Sequence, residues 1–190
     1  VGVLPAAEGT SSRRGCCLVL DPRFEEVIDS QGASLETLHE GTSANWFEGP
    51  VWVPGHDILL FSDTKLNTIH LWSARQGIQL FVSKDPPHST TSNSKKSGML
   101  GRNGLALDGE GRLLVCEQGN RRITRLDQSQ SLFGSPAFPV LSGVDDQIIV
   151  ASQYQGKRLN SPDDLVVASN GDIYFTDPTY GDRAHLELSF

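Results

Sequence analysis

The sequence predicts an all-β fold made of repeated four-stranded units, a β-propeller, and three observations predict it. Helical periodicity is nearly absent, and short apolar runs alternate with Gly-containing turns instead. A 15-residue pattern of apolar run, turn and second apolar run ending in an acid occurs three times, as GPVWVPGHDILLFSD (49–63), NGLALDGEGRLLVCE (103–117) and DDLVVASNGDIYFTD (163–177). Its starts at 49, 103 and 163 give spacings of 54 and 60 residues. That suits four antiparallel strands per unit with variable loops, and it exceeds the period of most solenoids.

The elements follow in chain order. SLETLHEG (34–41) reads as a lone strand that completes the last blade and closes the ring. The first hairpin turns at Gly55, and TIHLWS (68–73) and IQLFVS (78–83) supply two further strands. The polar stretch KDPPHSTTSNSKKSG (84–98) is a connection. The second hairpin turns around Gly109 and Gly111 and is followed by RITRLD (122–127), whereas SGVDDQIIVASQYQGKR (142–158) reads as a connection or insertion. The third hairpin turns at Gly171. The division is therefore an N-terminal segment, 1–33, and a partial propeller, 34–190, with a closing strand, two full blades and the start of a third. Propellers surround their channel with about four to eight blades, so the expectation is a fragment of roughly half a ring. A complete domain pairing with a second copy is the alternative, and it leaves large unpaired edges.

Composition bounds the function. Hydrophobic residues make up 37% of the 190, enough for a core and too many for wholesale disorder. The net charge is -7 and no basic cluster exceeds Arg121, Arg122 and Arg125, which argues against nucleic acid and anionic membrane as partners. Cys16, Cys17 and Cys116 form neither a disulfide framework nor a zinc-ligand spacing, so a reducing, cytoplasmic setting is expected. No apolar run reaches membrane-helix length, and VGVLPAAEGTSSRRGCCLVL lacks an initiator Met and the order of a signal peptide, which reads as a cut N-terminus.

In a propeller the innermost strands start near the central channel, so the aligned starts of different blades converge. Here they are rich in oxygen: Glu48 opens EGPVWV, Asn103 opens NGLAL, and Asp163 with Asp164 opens DDLVV. Such groups suit a hard divalent cation such as Ca²⁺, which takes six to eight oxygens, and no histidine stands at the three mouths to favour a zinc-type site. Equally, Asp163 and Asp164 read as caps of a loop entering a strand, and Glu48 and Asn103 as groups satisfying loop amides. Glu48 also precedes its aligned column by one residue, which reverses side-chain direction in a regular strand unless Gly49 and Pro50 absorb the offset as a bulge. If Asp163 and Asp164 are close, one of them should hold its proton more strongly than an isolated Asp.

FEGPVW, NGLALDGEGRLLVCEQGNRRITRLD and LNSPDDLVVASNGDIYFTDPTYG resemble the senescence-marker-protein, gluconolactonase and luciferin-regenerating-enzyme family, in its gluconolactonase-like branch, from about Leu35 to Gly181. The resemblance implies a six-bladed propeller whose channel holds one divalent cation, usually Ca²⁺ with Zn²⁺, Mg²⁺ or Mn²⁺ as alternatives, and a small-molecule lactone as substrate. By the same resemblance Glu48 is a metal ligand and Asn103 a channel-facing, substrate-binding residue. Asp163 stands where the family has the Asn of SPND, beside metal and substrate, and Asp164 matches the neighbouring acid, which supports the site or helps to activate water. Asp163 and Asp164 are thus the catalytic candidates, Asn103 and Asp163 the substrate contacts, and Glu48 and Asp163 the metal ligands. The family's remaining Asn and Asp ligands would lie beyond Phe190. The implied activity is lactone hydrolysis; the rival reading is a non-catalytic propeller used as a binding scaffold.

Other residues read as structural. Trp46, Trp52 and Trp72 are expected to pack between blades, and Cys116 to behave as a small buried hydrophobe. His39, His56, His70, His88 and His185 offer no triad, and no GxSxG elbow is present.

Overall fold

The computed structural model describes residues 13–14, 21–29, 32–83, 101–127 and 147–180. It divides into two compact units, Val1–Glu40 and Gly41–Phe190. In the first, β1 (Arg13–Arg14) pairs antiparallel with β2 (Ser34–Leu35). A 3₁₀ turn over Pro22–Glu26 is capped by Asp21, whose carboxylate accepts the Arg23 N–H at 2.9 Å. The strand expected over 34–41 is therefore two residues long, and residues 36–40 are exposed without regular structure.

The second unit is antiparallel β throughout its described residues. β3 (Phe47–Val53), β4 (Ile58–Asp63), β5 (Thr68–Ser73) and β6 (Gly77–Val82) form one four-stranded sheet in chain order. β7 (Arg102–Leu107), β8 (Leu113–Glu117), β9 (Arg122–Leu126) and β10 (Gln147–Ala151) form a second of the same topology. After a small hairpin of β11 (Gln153–Tyr154) and β12 (Lys157–Arg158), a third unit opens with β13 (Leu165–Val167) and β14 (Ile173–Phe175). All three hairpins expected from the repeat are present. The stretch expected as a connection over 142–158 instead contributes β10, the outer strand of the second sheet. Its apolar side chains Ile148, Ile149 and Val150 are exposed, so it carries no burial alternation to mark it. Residues 84–98 lie outside those described.

Side-chain alternation explains how the sheets stack. Leu113 and Val115 point from β8 into a core shared with Ile58, Leu60, Ile69, Leu71 and Phe81 of the first sheet. Leu114 and Cys116 point the other way, into a smaller core with Ile123 and Leu165. All five residues of β8 are buried, because the middle sheet is covered on both faces. Turns tie neighbouring sheets at the edges. Asn67, at φ +56°, accepts the Arg102 N–H on its side-chain oxygen at 3.1 Å and an Arg102 guanidinium N–H on its carbonyl at 2.7 Å. Arg121, at φ +57°, reaches forward to the Leu159 carbonyl at 2.5 Å.

Candidate functional site

The register of the three hairpins places their mouths. In the first, Glu48 faces Ser62 but Val51 faces Leu60, so three steps on β3 match two on β4. In the second, Arg102 faces Glu117 and Leu105 faces Val115, again three against two. In the third, Asp163 N–H donates to the Thr176 carbonyl while Thr176 N–H donates to the Asp164 carbonyl, so two residues oppose one. Each innermost strand thus carries a one-residue bulge at its mouth, the device that Gly49 and Pro50 suggested. Phe47 faces Asp63 and Arg102 faces Glu117, so the next residues, Glu48 and Asn103, are equivalent along the ladder. The offset in the sequence alignment arises because the first hairpin is one rung longer and its turn one residue shorter.

The bulges let the mouths touch. A Cβ on Gly49, which sits at φ +55°, would lie 2.5 Å from the Asn103 carbonyl oxygen and 2.9 Å from Gly104 Cα. A Cβ on Gly104 would lie 2.6 Å from Asp164 Cα and 2.7 Å from the Asp163 carbonyl oxygen, which accepts the Gly104 N–H at 2.7 Å. Glycine at both positions is what allows backbone to meet backbone from one hairpin to the next. Ser62 closes the first contact, its hydroxyl donating to the buried Asn103 carbonyl at 2.6 Å.

Three of the four residues singled out in the sequence come together there. Asn103, 6% exposed, donates its side-chain N–H to Asp163 Oδ1 at 2.7 Å. Desolvation, then the charge of Glu48 and then that of Asp164, pushes the Asp163 carboxyl above the ordinary range, against a hydrogen bond from Gln118 that lowers it. The expected proton-holding acid is therefore Asp163. Glu48 is half-buried, and its Oε1 accepts the Trp46 indole N–H at 2.8 Å. Among the described residues neither Asp163 Oδ2 nor Glu48 Oε2 has a hydrogen-bond partner. Asp164 stands apart: it is exposed, its Oδ1 accepts the Leu165 N–H at 2.9 Å, and it borders an open cavity of about 240 Å³ with Tyr174 and Thr176.

Two contributors were not visible in the sequence. Gln118, 1% exposed, donates to Asp163 Oδ1 at 2.6 Å, and Trp46 holds Glu48. Trp46 and Trp52 are each 44% exposed, so neither is the inter-blade packing residue expected of it. Trp46 stands two residues ahead of the EGP motif, which was its one available signal. Gln118 had none, because its partner lies 45 positions away in another hairpin.

The acids that end each repeat do different work. Asp177 accepts the backbone N–H groups of Asn160 at 2.7 Å and Ser161 at 2.8 Å, and Asp63 accepts those of Trp46 and Leu66, each at 3.2 Å. Glu117, 3% exposed, accepts from Arg122 at 2.5 Å and Asn120 at 2.9 Å. These are structural clasps. Burial, with the charges of Asp164, Asp163 and Asp177, pushes the Cys116 thiol far above its usual range, so it is no nucleophile. His70 stacks on Phe61 and shares a hydrogen bond with Thr68, and His56 lies exposed in a turn. His88 and His185 lie outside the described residues. A larger, mostly apolar cavity of about 750 Å³ is lined by Ala151, Tyr154, Leu159, Phe175 and Pro178 among others and includes none of the converging polar residues, so it is not the candidate site.

The chain is similar to known proteins over most of its length. A family model, the SMP-30/Gluconolactonase/LRE-like region, matches residues 46–187. A gluconolactonase of Zymomonas mobilis subsp. mobilis is 32% identical over 160 residues, 84% of this chain and 40% of that protein. A solved gluconolactonase structure from Xanthomonas campestris is 31% identical with a TM-score of 0.56, over 77% of this chain and 38% of that one. Another solved structure, described as a candidate gluconolactonase, is 27% identical with a TM-score of 0.55, over 92% of this chain and 42% of that one. The chain thus spans about two fifths of the length of these relatives.

Proposed function

The chain belongs to the SMP-30/gluconolactonase/LRE-like family, and from that premise we propose that it forms part of a metal-dependent hydrolase that opens a sugar lactone or similar cyclic ester. In this reading its two four-stranded sheets and third hairpin are blades of a six-bladed ring. The observation that carries the proposal is the convergence of Glu48, Asn103 and Asp163 at the bulged mouths of successive hairpins, with one carboxylate oxygen on each acid unpartnered among the described residues.

The donor set fits a hard cation. It is all oxygen, it offers two carboxylates without a neutralising Lys or Arg contact among the described residues, and burial and the Glu48 charge raise the cost of ionising Asp163, which a cation would relieve. Among the described residues no three His, Cys, Asp or Glu side chains form a metal cluster. Glu48 and Asp163 would accordingly hold the ion with amide carbonyls, water and ligands supplied from elsewhere in the ring, Ca²⁺ being the best match. A divalent cation, when bound, supplies Lewis-acid polarisation of the lactone carbonyl and stabilisation of the developing oxyanion. Asn103 orients the substrate from the wall of the mouth. Asp164, outside the converging trio, supports the site through its charge on Asp163, while the attacking water gives up its proton to a carboxylate of the mouth as the ring ester opens.

The test is a lactone-opening assay followed by acid release in the full-length protein, with chelator and then metal titrated into wild type and Glu48→Gln. Chelator should stop turnover, Ca²⁺ should restore it, and the variant should need more cation and turn over more slowly. Undiminished, chelator-resistant turnover in the variant would place the chemistry elsewhere.

A further inference from the structure

Gln118 is a buried polar side chain at the mouth that the mechanism above leaves unused. It lies in the turn after β8, in the second sheet, yet its Nε2 reaches across to the third hairpin and donates to Asp163 Oδ1 at 2.6 Å. Asn103 donates to the same oxygen at 2.7 Å. We infer that Gln118 is a positioning residue: with Asn103 it clamps one oxygen of Asp163 so that the other is presented to the ligand, an inference that rests on the lactonase reading of Asp163.

Three observations carry it. First, the side chain is 1% exposed and its Oε1 is buried without a partner among the described residues. A carboxylate only accepts, so the amide must turn its nitrogen to Asp163 and its carbonyl away. Leaving a buried carbonyl unpaired is costly, and a Met of similar volume would fill the space without that cost. The position therefore favours Gln for its N–H. Second, the backbone is fixed on both sides: Gln118 N–H donates to the Gly101 carbonyl at 3.3 Å, and its carbonyl accepts the Arg121 N–H at 3.1 Å, closing the turn. The carboxamide is delivered from a rigid base. Third, the residues that follow the terminal acids in the other two hairpins do nothing comparable. Thr64 bonds back to the Trp46 carbonyl within its own unit, and Pro178 has no N–H. Of the described residues that follow a terminal acid, Gln118 is the one whose side chain reaches across to the next hairpin's acid.

The experiment compares wild type and Gln118→Met in the full-length protein by three readouts: thermal melting without metal, Ca²⁺ affinity by calorimetry, and the kcat and KM of lactone opening. Supporting residues of this kind change affinity or activity by about 10- to 100-fold. The expected result is a melting temperature equal to or above wild type, Ca²⁺ affinity weakened about tenfold, and kcat lowered with KM little changed. A packing role would instead lower the melting temperature, and equal affinity and kcat in the two proteins would overturn the inference. Should Gln118→Met not fold, Gln118→Asn decides: it keeps the polarity one methylene short of Asp163, so wild-type affinity in it overturns the clamp and a tenfold loss supports it. If wild type binds no cation while kcat still falls in a stable variant, the metal reading fails and the clamp stands.

Discussion

Gly49→Ala tests whether the candidate site exists because two hairpins meet backbone to backbone. The substitution has two separable costs. The residue sits at φ +55°, where a Cβ costs about 1–2 kcal/mol. The new methyl would also fall 2.5 Å from the Asn103 carbonyl oxygen and 2.9 Å from both Gly104 Cα and Leu105 N. All three are backbone atoms, so no rotamer change relieves the overlap, and overpacking of this kind costs about 1–3 kcal/mol. Together the loss is about 2–5 kcal/mol, a large part of the stability of an ordinary domain. Gly55→Ala provides the control, because Gly55 has φ +81° but nothing within 4 Å of its added Cβ. It should carry only the backbone cost, about 1–2 kcal/mol. The measurement is urea unfolding of both variants, read as the midpoint at constant slope. The difference between them isolates the contact between hairpins, and the same Gly49 variant should bind cation more weakly, since relief of the overlap moves Glu48 away from Asn103. If the two variants unfold within about 0.5 kcal/mol of each other, the uncertainty of such comparisons, the mouths do not converge as described.

Three further outcomes follow from individual contacts. Trp46→Phe removes the N–H that holds Glu48 Oε1, so cation affinity should fall about tenfold, while in wild type the emission of this half-exposed indole should change on cation binding. Cys116, fully buried and with its thiol pushed far above the usual range, should be silent to a thiol reagent in the native protein and react only at the rate of unfolding; prompt modification would contradict its place in the core. At Asp108 burial pushes the carboxyl up, but the Arg112 and Glu110 N–H groups and the Arg112 guanidinium outweigh it and leave the group below its ordinary value. Its contribution to stability is complete above the ordinary carboxylate pKa and is lost as pH falls through the lowered folded value, so Asp108→Asn should flatten that acid limb of a melting-temperature profile.

What was legible in the sequence is what depends on neighbours along the chain. Alternation and turn glycines marked the hairpins, and the strand expected as TIHLWS is observed as Thr68–Ser73. The strand β10 was hidden because its Ile148, Ile149 and Val150 lie at an outer position where both faces are open, which erases the pattern that burial writes. The site divided along the same line. Glu48, Asn103 and Asp163 were visible as unlike residues at like positions, and the suggestion of a bulge at Gly49 anticipated the register. Gln118 and Trp46 were not visible, because their roles exist only across space: one reaches over 45 positions, and the other is defined by where a half-buried carboxylate happens to turn.

Acids close all three repeats and stand at the mouths of the first and third, which raises the question of what separates a structural carboxylate from one available for chemistry, since residue type and spacing do not. Hydrogen-bond saturation separates them here. Asp177 has both oxygens filled by backbone N–H groups from the segment that enters its own hairpin, and Glu117 is filled by Arg122 and Asn120 on one oxygen and Thr124 on the other. Their negative charge is used up locally, and removing it would loosen a loop. Asp163 receives two donors on a single oxygen, both from amide side chains of a neighbouring sheet, and faces two further acids with no cation beside it among the described residues. Such an arrangement is poor design for stability, because it gathers charge and desolvates it. It is sound design for a group that must offer one fixed oxygen to something positive. The same local motif, an acid at a strand end, thus serves two purposes according to whether the fold fills both oxygens or one, and Gly104 decides which by letting the second sheet's donors meet the acid of the next hairpin.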